Sequence, residues 1–120
     1  MEPSPQQVTA QPLGEEIMKL LTKENRKALP ALRDTDGDRD AKAVVRFTNT
    51  RMRRPNGDPW EWFAIEFDGV DMFFGLVKGF ETELGYFTIS GDFAAVEDAT
   101  GMAMMRDQYF QPTMARDLGS

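Results

Sequence analysis

Three short apolar segments follow one another in residues 60–89, which read WEWFAIEFDGVDMFFGLVKGFETELGYFTI. Aromatic and aliphatic residues dominate Trp60–Phe67, Met72–Lys78 and Leu84–Ile89. Segments of this length between turn signals are typical of β-strands. Because only short turns such as Asp68-Gly69 separate them, they predict neighbouring antiparallel strands.

A further strand is predicted upstream of these three. The segment Ala43–Thr48 alternates in the same way, and one predicted face carries Ala43, Val45 and Phe47. A polar loop over Arg33–Asp40 precedes it, and a basic hairpin loop over Asn49–Pro59 follows it. The four segments predict an antiparallel meander, to which Met102–Met105 adds a short fifth strand.

A short helix is predicted before the sheet. Ile17, Leu20 and Leu21 recur at helical spacing. Thr22 is placed to cap a second helical turn, and Pro30 is expected to end it because proline disfavours helical geometry in the residue before it. The spacing leaves open whether residues 15–29 form one helix or two.

A second helix is predicted after the sheet, over residues 91–98, with Ser90 as its N-cap and Gly101 beyond its end. The fold class is therefore α+β: an antiparallel meander sheet of four to five strands with short helices at the N- and C-terminal ends, packed on one face. Residues 1–12 are expected to be a flexible lead because they are rich in Pro, Gln, Ser and Thr, and residues 13–120 a single globular domain.

The composition excludes several chemistries. The chain of 120 residues contains no His and no Cys, which excludes imidazole bases, thiolate nucleophiles, disulfides and the usual zinc sites, and no cofactor is predicted. No apolar run approaches the length of a membrane span, so no membrane association is expected. Met1–Gln7 lacks the pattern of a secretory signal, which favours the cytoplasm.

The charge is concentrated in the second half of the chain. Residues 60–120 carry three basic and eleven acidic side chains, a net charge of −8. Such a field repels nucleic-acid backbones and attracts basic surfaces. The predicted partner is therefore a protein with a basic surface, and the alternative is that the acids serve solubility alone.

Strand alternation predicts where that partner binds. If Phe63, Ile65 and Phe67 face the helices, then Trp60 and Trp62 lie on the outer face, unless the tail from Tyr109 covers them. Large aromatic side chains are enriched at binding hot spots. The predicted binding surface consists of Trp60, Trp62, Glu66, Glu83 and Tyr86.

Two alternative functions remain open. Arg51, Arg53 and Arg54 form a basic loop beside aromatic residues, as in nucleic-acid patches, but the acidic chain disfavours this reading. An enzyme without His or Cys would need two carboxylates, for which Glu66 and Glu83 are the candidates. A structural role is favoured for both: we expect Arg106 to pair with Glu66 or Glu83.

The loop Asp34–Asp40 has oxygen ligands at every second position, as calcium loops do. It departs from an EF-hand because Arg39 and Val45 stand where that loop needs Gly and Glu. The sequence therefore favours a solvated acidic loop over a metal site.

The order of these segments resembles a bacterial family, domain-of-unknown-function family 2958, over about residues 20–112. The most specific pieces are Glu83-Leu84-Gly85-Tyr86-Phe87 and Arg106-Asp107-x-Tyr109-Phe110. The resemblance implies a setting on plasmids, conjugative elements or phages, and no activity. It implies as partner a host nucleic-acid-handling or defence protein, towards which the acidic half would act as a nucleic-acid surrogate in an anti-defence role. At Ser90-Gly91-Asp92-Phe93 the chain departs from the family's Ser-x-x-Glu-Leu.

Overall fold

Five antiparallel strands form the central sheet in the computed structural model, which describes residues 17–119. The predicted lead over residues 1–12 lies outside the described residues. Together with a separate pair, the described residues form seven strands: β1 Lys42–Ala43, β2 Val45–Arg53, β3 Pro59–Phe67, β4 Met72–Lys78, β5 Thr82–Thr88, β6 Met105–Arg106 and β7 Thr113–Met114. The order in the sheet is β5-β4-β3-β2-β6, and β1 pairs separately with β7. The predicted α+β meander is confirmed.

The helices are short and lie at both ends of the sheet. Residues 17–20 are helical, and after a break α1 runs over Lys23–Ala28, so the N-terminal segment forms two helices rather than one. Thr22 caps α1 as predicted: its side chain accepts from the Asn25 N–H at 3.0 Å, and the Asn25 side chain accepts from the Thr22 N–H at 3.0 Å. No helix within residues 17–119 is long and apolar enough to cross a membrane.

The C-terminal helix begins earlier than predicted. A π-helical turn over Ile89–Phe93 precedes α2, Ala94–Thr100, and the N-cap is Thr88 instead of Ser90. The Thr88 hydroxyl accepts from the N–H groups of Gly91 and Asp92. Ser90 is held elsewhere, because its N–H and hydroxyl donate to the two carboxylate oxygens of Asp71 at 2.8 Å and 2.6 Å. Gly101 ends α2 with a φ of 70°, as expected of a glycine at this position.

A β-bulge in β3 decides which residues reach which face. Ala64 pairs with Gly75, and Glu66 pairs with Phe74, which is adjacent to Gly75 in β4. Ile65 lies between Ala64 and Glu66 without a partner and is therefore an extra residue. Alternation therefore changes phase within the strand, and Phe67 joins the face of Trp62 and Ala64. The prediction that Phe63, Ile65 and Phe67 share a face is wrong for Phe67, and the prediction that Glu66 shares a face with Trp62 is wrong too.

The helices cover the face opposite to the predicted one. We call it the helix-covered face: Trp62, Ala64, Phe67, Phe73 and Phe87 from the sheet pack there against Leu20, Leu21, Leu29, Phe93 and Val96. This face carries most of the buried aromatic rings of the sheet. Val45 and Phe47 share it, whereas Ala43 packs on the other side, contrary to the predicted alternation.

The second face is also covered, although by irregular chain. On this loop-covered face a smaller cluster of Ala43, Phe63, Ile65 and Leu76 packs against residues of the C-terminal segment, namely Phe110, Ala115 and Leu118. β7 and the 3-10 turn Ala115–Asp117 hold that segment in place through pairing with β1. Both faces of the sheet are therefore covered by other parts of the chain, and the uncovered part of the sheet lies at its β5 edge.

Candidate binding site

A groove lies on the helix-covered face where β5 forms the edge of the sheet. Its volume is about 420 Å³. We call it the aromatic groove, and its lining residues include Trp60, Trp62, Phe80, Glu81, Glu83 and Asp92. Three residues of the predicted binding surface, Trp60, Trp62 and Glu83, are thus brought together, whereas Tyr86 borders the groove with its side chain on the loop-covered face, where its ring lies 5.1 Å from that of Phe74.

Trp60 and Phe80 form the exposed aromatic part of this groove. Their ring centroids lie 5.1 Å apart at an interplanar angle of 84°, an edge-to-face arrangement. Trp60 also lies 5.7 Å from Trp62 and directly over Gly79, where an added Cβ would come within 2.3 Å of the indole. The glycine therefore makes room for Trp60, while Phe80 remains 76% exposed.

Trp62 forms the floor of the groove and is not an exposed contact residue. Only 4% of it is exposed, and its ring lies edge-on to Phe93 at 5.7 Å. The prediction that both tryptophans lie on an outer face is therefore wrong, because the helices pack on the tryptophan side. The exposed aromatic residues of the groove are Phe80 and, in part, Trp60.

The charged side chains that line the aromatic groove are all negative, and the Arg54 guanidinium lies at its margin, where its Nε donates to the Gly79 carbonyl at 3.1 Å. Glu81, Glu83 and Asp92 line it, and no lysine or arginine does. Asp92 is fixed in place because its carboxylate accepts from the Thr88 N–H at 2.8 Å and from the Thr88 hydroxyl. The groove can therefore receive an apolar group flanked by cationic ones.

Glu66 lies on the opposite face of the sheet and does not line this groove. It is 1% exposed and belongs to the loop-covered face, since it pairs in register with Phe74, which lines a groove on that face. Its carboxylate accepts from the N–H of Arg33 at 2.7 Å, from the N–H of Thr35 at 2.9 Å and from the Thr35 hydroxyl. Glu66 thus anchors the loop after Pro30.

The structure does not bring Glu66 and Glu83 together. Glu83 pairs in register with Val77 on the helix-covered face, so the sheet separates the two carboxylates. The two-carboxylate site that an enzyme would need is therefore not formed by this pair.

The predicted ion pair of Arg106 with Glu66 or Glu83 does not form among residues 17–119. The Arg106 Nε is buried without a hydrogen-bond partner in that part of the chain. Arg46 makes the partly buried ion pairs instead, through its Nε to Glu61 at 2.7 Å and its Nη1 to Asp107 at 3.0 Å. The physical reason is geometric: the loop at Arg33–Thr35 already occupies both oxygens of Glu66.

The arginines of the basic hairpin all donate to backbone carbonyls. Arg51 reaches Thr100 at 3.1 Å, Arg53 reaches Gly57 at 3.3 Å and Arg54 reaches Gly79 at 3.1 Å. Strand β2 extends to Arg53, so the loop is shorter than predicted and spans residues 54–58. These bonds give the arginines a structural role in holding the hairpin against α2 and the β4–β5 turn.

The carboxylates of the acidic loop Asp34–Asp40 bond to groups of the loop and of neighbouring parts of the chain. The Asp34 carboxylate accepts from the Ala31 N–H and the Asp38 carboxylate from the Asp40 N–H. Asp36 pairs with Arg33 at 3.0 Å, and Asp40 pairs with Arg116 at 2.9 Å. Within residues 17–119 no group of three or more acidic, His or Cys side chains is arranged to hold a metal ion.

A second groove lies on the loop-covered face. It has a volume of about 480 Å³, and sheet side chains that line it are Ile65, Phe74, Leu76 and Leu84. Leu84 therefore lines both grooves, one on each side of β5. The sequence does not predict this groove, nor the place of Phe80 and Asp92 in the first. The signal for Phe80 was an aromatic residue inside the turn that follows Gly79.

Comparisons with known proteins give one match. No curated protein and no solved structure matches the chain. A family model described as "Protein of unknown function (DUF2958)" matches residues 16–116, most of the chain and nearly all of the described fold. The chain therefore belongs to the DUF2958 family, as the resemblance indicated.

Proposed function

We propose that the protein is a non-enzymatic binding protein that engages the basic surface of a partner protein at the aromatic groove. The observation that carries this proposal is the exposed Phe80, backed by Trp60 and surrounded by Glu81, Glu83 and Asp92 with no basic side chain in the lining. As its partner class we propose a host nucleic-acid-handling or defence protein, which a setting on a mobile element would imply.

The energetics favour protein binding at such a place. A stiff aromatic side chain that inserts into a partner's pocket supplies much of the affinity at a protein interface, and it does so near the centre of the contact. Acidic residues around it accelerate the encounter with a basic partner and select against acidic ones. The net charge of −8 over residues 60–120 acts in the same direction.

The geometry supports this function over the two alternatives. The arginines of the hairpin are bonded to backbone carbonyls of the protein itself, which leaves fewer donors for phosphate groups. The two candidate carboxylates of an enzyme, Glu66 and Glu83, lie on opposite faces of the sheet.

The test is affinity capture from a nuclease-treated bacterial host lysate. We compare the wild-type protein with Phe80→Ala and with Val70→Ala, a matched truncation of an exposed apolar side chain away from the groove. We expect a basic protein to be captured by wild type and Val70→Ala and lost with Phe80→Ala. Capture should weaken as the ionic strength rises from about 0.1 M to 1 M, over which the screening length falls from about 10 Å to 3 Å.

Two results would contradict the proposal. One is capture that survives Phe80→Ala and Glu83→Lys in a protein that remains folded. The other is a gel shift with nucleic acid that disappears on charge reversal of Arg51, Arg53 and Arg54, which would establish the nucleic-acid-binding function instead.

A further inference from the structure

Strand β5 has one paired side and one open side. It is the last strand in the sheet order β5-β4-β3-β2-β6. All seven of its residues pair with β4 in an unbroken register, from Thr82 opposite Lys78 to Thr88 opposite Met72. Within residues 17–119 no other strand pairs with its outer side, although the N–H of Thr88, its last residue, donates to the Asp92 carboxylate. A regular strand with a free row of N–H and C=O groups is a template for a further strand.

β5 lacks most of the usual protections of a sheet edge, although it carries one charged side chain, Glu83. Natural edges are shortened, bulged, or interrupted by proline or lysine. The other end of this sheet follows that rule, because β6 has only two residues. β5 has seven residues, no bulge, no proline and no lysine, and its Leu84 and Tyr86 are each 56% exposed.

Both grooves open onto this edge. Glu83 and Gly85 line the aromatic groove, and Leu84 also lines the second groove, which lies on the loop-covered face. Successive side chains of a strand point to opposite faces. A chain paired along β5 would therefore place alternate side chains towards the acidic aromatic groove and the intervening ones towards Leu84 and Phe74.

We propose that β5 accepts an extended segment of the partner protein as a sixth strand of the sheet, a mode that rests on the proposed function. The segment carries Lys or Arg at alternate positions, facing Glu81, Glu83 and Asp92, and apolar residues between them. Backbone hydrogen bonds give the affinity in this mode, and alternate side chains give the specificity. A second copy of the chain is a poor occupant, because its β5 would bring Glu83 to the same acidic edge.

The test uses a capped peptide, Lys-Val-Lys-Val-Lys-Val-Lys, and two backbone-methylated forms. One form is N-methylated at the valines and the other at the internal lysines. In a strand, the N–H groups of alternate residues point to the same side, so pairing with β5 needs only one of the two sets. Affinity is measured by fluorescence anisotropy of a labelled peptide, and amide hydrogen exchange of β5 is followed with and without the peptide.

We expect the unmodified peptide to bind and one methylated form to bind like it. The other form should lose about tenfold or more in affinity, since several backbone hydrogen bonds cannot form. Alternate amides of β5 should gain protection from exchange on binding. Glu83→Gln should weaken binding of the peptide, whereas Asp98→Asn, an exposed acid on α2 outside the groove, should not.

The outcomes separate this inference from the proposed function. Equal affinity of the two methylated forms, or absent protection in β5, overturns strand addition, as does failure of the unmodified peptide to bind. In those cases, capture of a basic protein that depends on Phe80 would still support the proposed function. Loss of both the capture and the peptide binding would overturn the two together.

Discussion

The helix-covered face of the sheet is closed by aromatic rings, whereas the loop-covered face is closed by a loop and a C-terminal segment that bring charged groups against it. On the first face Phe73 is fully buried among Phe47, Phe67 and Phe87 at centroid distances of 4.5–5.4 Å. On the second, Glu66 and Arg46 make directed bonds to neighbouring chain. The first face relies mainly on the packing of its rings, whereas the second combines a smaller apolar cluster with polar groups that bond in pairs.

The largest expected effect is on the helix-covered face. Phe73→Ala removes a fully buried ring and should lower the free energy of unfolding by about 3–5 kcal/mol because it leaves a cavity. The matched change on the other face, Phe110→Ala, removes a partly exposed ring and should cost less, about 1–2 kcal/mol. Urea denaturation followed by tryptophan fluorescence measures both. Equal losses would contradict the difference between the faces.

The next effect is at Glu66. Glu66→Ala removes the acceptor of the Arg33 and Thr35 N–H groups and should cost about 2–3 kcal/mol, because donors that are partly buried lose their partner. Glu81→Ala, at an exposed acid, is the control and should change the stability by less than about 0.5 kcal/mol. If both variants unfold at the same urea concentration, Glu66 does not anchor the loop.

A smaller effect is expected for the ion pairs of Arg46. Arg46→Met keeps the aliphatic part of the side chain and should lower the free energy of unfolding by about 1 kcal/mol, since the pairs with Glu61 and Asp107 are only partly buried. In a double-mutant cycle with Glu61→Gln, the two losses should be less than additive. Additive losses would show that the pair makes no net contribution.

The smallest effect concerns the turn before β4. Partial burial raises the pKa of Asp68, but hydrogen bonds from the N–H groups of Val70, Asp71 and Met72 outweigh it and hold the pKa below its ordinary value of 3.8. A lowered pKa stabilises the fold above the ordinary value, and this contribution disappears as the pH falls through the lower folded value.

Asp68→Asn should therefore be less stable than wild type at neutral pH, and the difference should shrink as the pH falls below 3.8. Acid unfolding curves of the two proteins measure it. A difference that is constant down to low pH would show that the charge of Asp68 has no part in it.

Local signals predicted the fold well. The turn at Asp68-Gly69, the capping role of Thr22 and the stop at Gly101 depend on neighbouring residues, so the sequence displays them directly. The helix start at Thr88 was mistaken for Ser90 because both have a hydroxyl group, and only the position of Asp71 decides which of them caps.

The site was only partly predictable. Trp60 and Glu83 share a groove as expected, because short turns keep them near one edge, whereas Tyr86 has its side chain on the other face. The faces of Trp62 and Glu66 were not predictable, since they depend on the bulge at Ile65 and on which side the helices pack. Those are long-range choices, made by the fit of rings from distant parts of the chain.

The extra residue at Ile65 also has a consequence for how this chain tolerates change in length. Before Ile65, the side chains of Trp62 and Ala64 lie on the helix-covered face. After it the alternation is shifted by one residue, and Phe67 lies on that face. Deletion of Ile65 would restore a regular ladder in which Glu66 still pairs with Phe74 and Phe67 still pairs with Phe73, so both side chains would keep their faces. Deletion of a residue elsewhere in β3 would instead shift part of the strand by one position and turn its side chains to the opposite face, so Ile65 is the position at which this strand can lose a residue with both layers kept in place.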